Sequence, residues 1–261
     1  MHPKFFAEKF YAGPTVPFDL GPAALAWMAV AITVASFVRG YSGFGFSAMV
    51  IAASSLVTNP LNFVAVVVVL ETVMSVQAAR GAGPNVDWRR VWWLLAGASV
   101  GLPLGLWVLT GVSENTARAV ISGYVLIMCA VLLLGWRMRA EARGPVNVVA
   151  GLVSGLANAP GMGGLPIAAF FAAQPMQAAV FRATLIAYFP LLDLYSAPLY
   201  WVAGLVSWDT LWASLIALPL TALGNWLGGR HFLHTDPQDF RRFAIVLLAG
   251  LAGLGLVKAV L

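Results

Sequence analysis

Residues Gly151 to Pro166 read GLVSGLANAPGMGGLP and lie inside a longer apolar block, Val146 to Ala173. The block is apolar enough for a membrane helix, but Asn158, Pro160 and the glycines Gly161, Gly163 and Gly164 interrupt it. Its flanks decide how it folds. It follows the basic stretch Arg137, Arg139 and Arg143, which the positive-inside rule keeps on the cytoplasmic face. It precedes an uninterrupted apolar span, Ala178 to Ala203, whose far end meets the loop Gly204 to Asp209, free of Lys and Arg and therefore facing out. A span that ends outside starts inside. The interrupted block must then enter and leave on one face, as a helix-turn-helix hairpin.

Outward from this stretch the chain has one character. Of 261 residues 61% are hydrophobic and only 10% charged, where a soluble domain carries about 25% charged residues. Mean hydropathy is +0.86, so a water-soluble globule is excluded. Six blocks are long enough to cross a hydrocarbon core of roughly 30 Å, which takes about 20 helical residues. They are Leu61 to Ala79, Val91 to Thr110, Ala119 to Trp136, Ala178 to Ala203, Leu211 to Leu227 and Phe243 to Leu261. Segments of about ten residues with alternating polarity, the barrel signature, are absent. The fold class is an all-α polytopic membrane protein.

A second interrupted block, Pro22 to Val57, mirrors the first. GYSGFGFSAM (Gly40 to Met49) is followed by Asn59-Pro60 and an apolar span, as GLANAPGMGGLP is followed by Gln174-Pro175 and another. Gly97, Gly101 and Gly105, spaced by four, are echoed by Gly224, Gly228 and Gly229. Each half therefore reads as one broken or re-entrant hairpin plus three spans. Duplicating a unit with an odd number of crossings inverts it, the inverted-repeat plan of many secondary transporters. The expected organisation is an interfacial N-terminal segment over 1–21, a first repeat over 22–136, a cytoplasmic linker over 137–144 and a second repeat over 145–261. If the N-terminus lies inside instead, the first block crosses once and the symmetry is lost; Lys4 and Lys9 against Glu8 and Asp19 do not decide it.

Irregular backbone within a membrane is tolerated only where protein buries it or where it lines a wet cavity. Gly40, Gly43, Gly45 and Gly161, Gly163, Gly164 suit turns at left-handed φ and close approach, with a new half-helix beginning at about Phe44 and Leu165. The first N–H groups of such a helix are unpaired and its dipole end is positive. Two hairpins entering from opposite faces would aim both ends at one midplane volume, an anion site built from backbone. For Gly97, Gly101 and Gly105, tight helix packing is the preferred reading.

Few ionisable residues lie within the apolar blocks. Arg39, just before the first turn, clamps an oxyanion if the hairpin spans partly and is a cytoplasmic anchor if it spans fully. Arg182 reaches the pocket or snorkels to headgroups. Glu71 and Asp193, near the middle of the span after each hairpin, pair with an Arg or carry a coupling proton. Tyr41, Ser47 and Asn158 are hydrogen-bonding groups beside the turns and complete the candidate substrate site.

Other classes fit less well. A net charge of +5 collects in short loops, at Arg80, Arg89, Arg90, Arg137, Arg139, Arg143, Arg230, Arg241 and Arg242, which is topology and not a nucleic-acid surface. The single Cys129 can form neither an intramolecular disulfide nor a cysteine metal cluster. No metal and no cofactor is expected, and a homodimer is left open. The competing reading is a membrane-embedded enzyme acting on a lipid-linked phosphate, but His2, His231 and His234 are confined to the N-terminal end or a loop. A channel would want a continuous polar stripe, and Asn62, Glu71, Gln77 and Asp193 are too sparse for one.

The Gly-rich block near the N-terminus, the span with three glycines four apart and the second Gly-rich block with G-x-G-G-x-P form a known pattern. With P-x-x-x-x-G-N-x-x-G at Pro219 to Gly228 as support, the chain from about Pro22 to Leu261 resembles the TauE/SafE family of membrane permeases. Where that family commonly has a run of glycines, this chain has Gly43-Phe44-Gly45-Phe46-Ser47. The resemblance implies a multi-pass carrier of the bacterial inner membrane that effluxes a small sulfur-containing anion, sulfite or an organosulfonate such as sulfoacetate.

Overall fold

A computed structural model describes residues 16–42, 44–79, 83–135, 137–231 and 249–250 of the chain. Among them are nine α-helices, named here in chain order: α1 (Pro22–Ser42), α2 (Phe46–Ser54), α3 (Val64–Ala79), α4 (Trp88–Thr110), α5 (Glu114–Leu134), α6 (Gly144–Asn158), α7 (Gly164–Ala172), α8 (Ala178–Val202) and α9 (Trp208–His231). Six stretches are long and apolar enough to cross a membrane: Pro22–Tyr41, Pro60–Gln77, Trp88–Thr110, Glu114–Leu134, Ala179–Val202 and Trp208–Arg230. The protein is a multi-pass, all-helical membrane protein. The sixth expected span, Phe243 to Leu261, lies outside the described residues apart from 249–250.

Local signals set the helix ends. Asp87 accepts from the backbone N–H of Arg90 and Ser113 from that of Thr116, capping α4 and α5. Pro60 opens a short 3-10 turn ahead of α3, with the Asn59 side chain accepting from the Leu61 N–H.

Both interrupted blocks are hairpins, and they are unequal. α1 has 21 residues, about 31 Å of helix, and runs on through Gly40, whereas α2 has 9. In the second block α6 has 15 residues, about 22 Å, short of the hydrocarbon thickness, and α7 has 9. Gly40 is therefore not a turn residue. A Cβ there would lie 2.9 Å from the Asn225 carbonyl carbon of α9, so this glycine lets two helices touch.

The two most extensive helix pairs join the halves crosswise: α4 packs on α6 and α9 packs on α1. Glycines line both. A Cβ on Gly97 would sit 2.6 Å from Leu152 N, and one on Gly105 would sit 2.8 Å from Leu156 O; one on Gly224 would sit 2.7 Å from Thr33 O. Between these pairs α3 crosses α8, with Val64, Val66, Val67, Leu70 and Met74 of α3 buried. Apolar side chains on the outside, Val100, Leu104, Trp107, Leu134 and Leu194 among them, are exposed and face lipid.

Two buried arginines hold the ends of the hairpins. Arg118 of α5 donates to the Thr58 carbonyl, just after α2, and to Glu114 at 2.8 Å. Arg90 of α4 pairs with Asp87 at 3.3 Å and Glu141 at 2.9 Å and donates to Gln174, just after α7. Gln174 accepts in turn from the Ala142 N–H and donates to the Phe170 carbonyl, which ties the linker to the second hairpin.

Candidate functional site

The first tip is built on α1, α2 and α3. Gly45 caps α2 at φ +93°, a left-handed conformation that L side chains rarely adopt, with open space around it. Ser47, in the first turn of α2, donates to the Glu71 carboxylate from its hydroxyl and from its backbone N–H. A carboxylate of the chain itself thus stands at the positive end of this helix, where an external anion was expected.

Arg39 lies inside the bundle, its side chain 8% exposed, so it is not an anchor at the membrane surface. Its Nη2 donates to the Ser75 hydroxyl at 2.7 Å, and its Nε lies 3.9 Å from Glu71 Oε1. Asp193, 4% exposed on α8, is within electrostatic reach of both Arg39 and Glu71. Its Oδ2 lies 3.1 Å from the Thr72 hydroxyl of α3.

The second tip is built on α6, α7 and α8. Only Gly161 takes the left-handed φ, at +76°, and a Cβ there would lie 3.0 Å from Val67 Cγ2 of α3. Gly163, at φ −60°, and Gly164 do not need glycine for their backbone angles. Gly163 serves close approach instead, since a Cβ would lie 2.8 Å from Ser154 O and 2.9 Å from Asn158 Oδ1. The Gly163 carbonyl accepts from the Ser154 hydroxyl at 2.8 Å, and Ser154 is bonded to the Tyr188 hydroxyl at 2.9 Å. Asn158 is buried, and its Nδ2 has no partner among the described residues. The Tyr200 hydroxyl of α8 donates to the Asn158 carbonyl and lies within electrostatic reach of Asp193 and Glu71.

Both tips therefore press on α3 about one helical turn apart, Gly161 at Val67 and Ser47 at Glu71. Of the residues expected in the site, Arg39, Ser47, Glu71 and Asp193 come together, and Asn158, Gly161, Gly163 and Gly164 form the neighbouring tip. Tyr41 is buried where α1 meets Gly228 of α9. Gly43 lies outside the described residues, and so does the side chain of Arg182, whose backbone belongs to α8. Sequence reasoning missed Thr72, Ser75, Ser154, Tyr188 and Tyr200. Helical spacing held a signal for two of them, since Ser75 follows Glu71 by four residues and Tyr200 follows Asp193 by seven. Among the described residues no group of three or more His, Cys, Asp and Glu gathers to hold a metal.

Comparison with known proteins adds two matches. The model of the family described as sulfite exporter TauE/SafE matches residues 28–255. A probable sulfite/organosulfonate exporter TauE from Cupriavidus necator is 28% identical over 243 residues, covering 86% of this chain and 91% of the relative. No solved structure matches the chain.

Proposed function

Because the chain belongs to the sulfite exporter TauE/SafE family, a family of membrane transporters and not of enzymes, we propose that it exports a small sulfur-containing anion across the bacterial inner membrane. Sulfite and small organosulfonates such as sulfoacetate are the substrates in view, in line with the printed name of the relative from Cupriavidus necator. The anion binds between the hairpin tips. The observation that carries this site is the convergence of both tips on one turn of α3 beside the buried guanidinium of Arg39.

A planar guanidinium suits a compact oxyanion, which it can bind through two parallel N–H groups. The unpartnered Nδ2 of Asn158 offers a further donor, and the first turns of α2 and α7 add the positive ends of two helix dipoles. To bind at α2 the anion must take the place that Glu71 holds.

The crosswise packing supports two inverted repeats. Exchanging the halves carries α1 on α9 into α6 on α4 and leaves α3 on α8 unchanged. Such a pair of halves can rock about the central crossing and open the site to each face in turn, which is alternating access.

The test is flux of labelled sulfite, sulfoacetate, taurine and phosphate in proteoliposomes. Saturable flux of sulfite or sulfoacetate is the expected result. Flux of phosphate alone, or of no anion by correctly folded protein, would overturn the proposal.

A further inference from the structure

Arg39, Glu71 and Asp193 bring one cation and two carboxylates together, all sequestered by helices. With every group ionised, one negative charge is left over, and burying an unbalanced charge is strongly disfavoured. One proton held by the cluster removes that excess. Thr72 Oγ1 lies 2.9 Å from the Val68 carbonyl oxygen and 3.1 Å from Asp193 Oδ2. A carbonyl can only accept, and a hydroxyl has one proton to give. That proton is shared between Val68 and Asp193, so Thr72 leaves the Asp193 charge largely uncompensated.

The anion site proposed above changes this balance. An anion that takes the place of Glu71 beside Arg39 and Ser47 adds negative charge to the cluster, and Glu71 yields most readily as the neutral acid. We propose that the Arg39–Glu71–Asp193 cluster takes up one proton with each transported anion, on Glu71, so that the protein is an anion–proton cotransporter. In export the proton enters with the anion from the cytoplasmic side and leaves with it outside, so the anion's own outward gradient drives the step against the proton gradient.

The ionisable surroundings fit this assignment. Glu71 faces Arg39 from α1 and Asp193 and Tyr200 from α8. Asp193 also faces Tyr188 of its own helix. α1 further carries Tyr41, while α2 and α7 carry no ionisable residue. α9, packed on α3, has charged groups only at its ends, Asp209, Arg230 and His231. α4, packed on α8, has Arg89 and Arg90 at its start.

The proposal rests on the anion-carrier reading, and one experiment separates the two. Labelled sulfoacetate is chosen because its sulfonate and its carboxylate both stay ionised near neutral pH, so its own charge does not change with the imposed pH difference. Its exchange and its net accumulation are followed in proteoliposomes with the membrane potential clamped at zero. Accumulation on the alkaline side by about tenfold per unit of imposed pH difference is expected for one proton per anion. Glu71→Gln, verified as folded by thermal unfolding, is expected to lose this response to pH. Wild-type exchange without pH-driven accumulation would overturn cotransport alone, as would accumulation by Glu71→Gln at the wild-type level. Exchange of neither sulfoacetate nor sulfite would overturn the carrier reading and cotransport with it.

Discussion

The Glu71 carboxylate accepts both the hydroxyl and the backbone N–H of Ser47, and so closes the N-terminus of a nine-residue helix within the membrane. In the proposed carrier, an internal anion at that point would exclude any ligand that cannot displace it. Arg39 lies across the carboxylate, but its shortest bond goes to Ser75, at 2.7 Å against 3.9 Å to Glu71. Ser75→Ala therefore leaves a charged donor short of one partner, and should lower stability by about 1.5–3 kcal/mol. Arg39→Leu strips the cation from a buried carboxylate and should cost about 3–5 kcal/mol. Thermal unfolding in detergent gives the ranking, and equal losses would contradict it.

The two left-handed glycines make a matched pair. Gly45→Ala meets only backbone strain, about 1–3 kcal/mol, because nothing lies within 4 Å of the new Cβ. Gly161→Ala meets the same strain and also crowds Val67 at 3.0 Å, so it should be the more damaging. Val67→Ala in the Gly161→Ala background should restore part of the loss. A double variant no better than Gly161→Ala would show that Val67 is not the obstacle.

Glycines that seat one helix on another should behave in the opposite way from a glycine facing open space. Gly97→Ala drives a methyl group to 2.6 Å from Leu152 N, and Gly151→Ala to 2.7 Å from the Leu94 carbonyl carbon, both rigid backbone. Either variant should fail to yield folded protein. Gly123→Ala, inside α5 with nothing within 4 Å, should gain about 0.5–1 kcal/mol from helix propensity. Expression level and unfolding temperature read both effects.

Arg90 is 5% exposed and ties α4 to the linker through Glu141 and to the second hairpin through Gln174. The linker holds three trypsin sites, Arg137, Arg139 and Arg143. Arg90→Ala should release the linker and speed its cleavage several-fold, while cleavage at other sites is unchanged. A cleavage rate equal to wild type would show that the tie does not hold the linker.

Much of this architecture is legible in the chain. Apolar length gives the spans, and the glycines inside Val146 to Ala173 mark the break between α6 and α7. The glycine runs at Gly97 and Gly224 announce close packing, although not their partners, because only the fold brings Leu152 and Thr33 opposite them. Composition could not tell a turn glycine from a packing glycine, and so Gly40 was expected in the turn when it seats α1 on α9. The site is less legible. Arg39 stands out as a charge in an apolar block, but its partners Glu71 and Ser75 lie more than thirty residues away. Asn158 is visible beside its turn, whereas the hydroxyls of Ser154, Tyr188 and Tyr200 look like ordinary helix residues until the tip folds onto them.

The most direct test of the central claim is binding of sulfoacetate to the purified protein by titration calorimetry, wild type against Arg39→Gln. Glutamine retains a hydrogen-bond donor but not the charge or the two parallel N–H groups. Saturable binding weakened at least about tenfold by Arg39→Gln, with the variant still folded, is the predicted result. Equal affinity in the two proteins would contradict it and place the anion away from the hairpin tips.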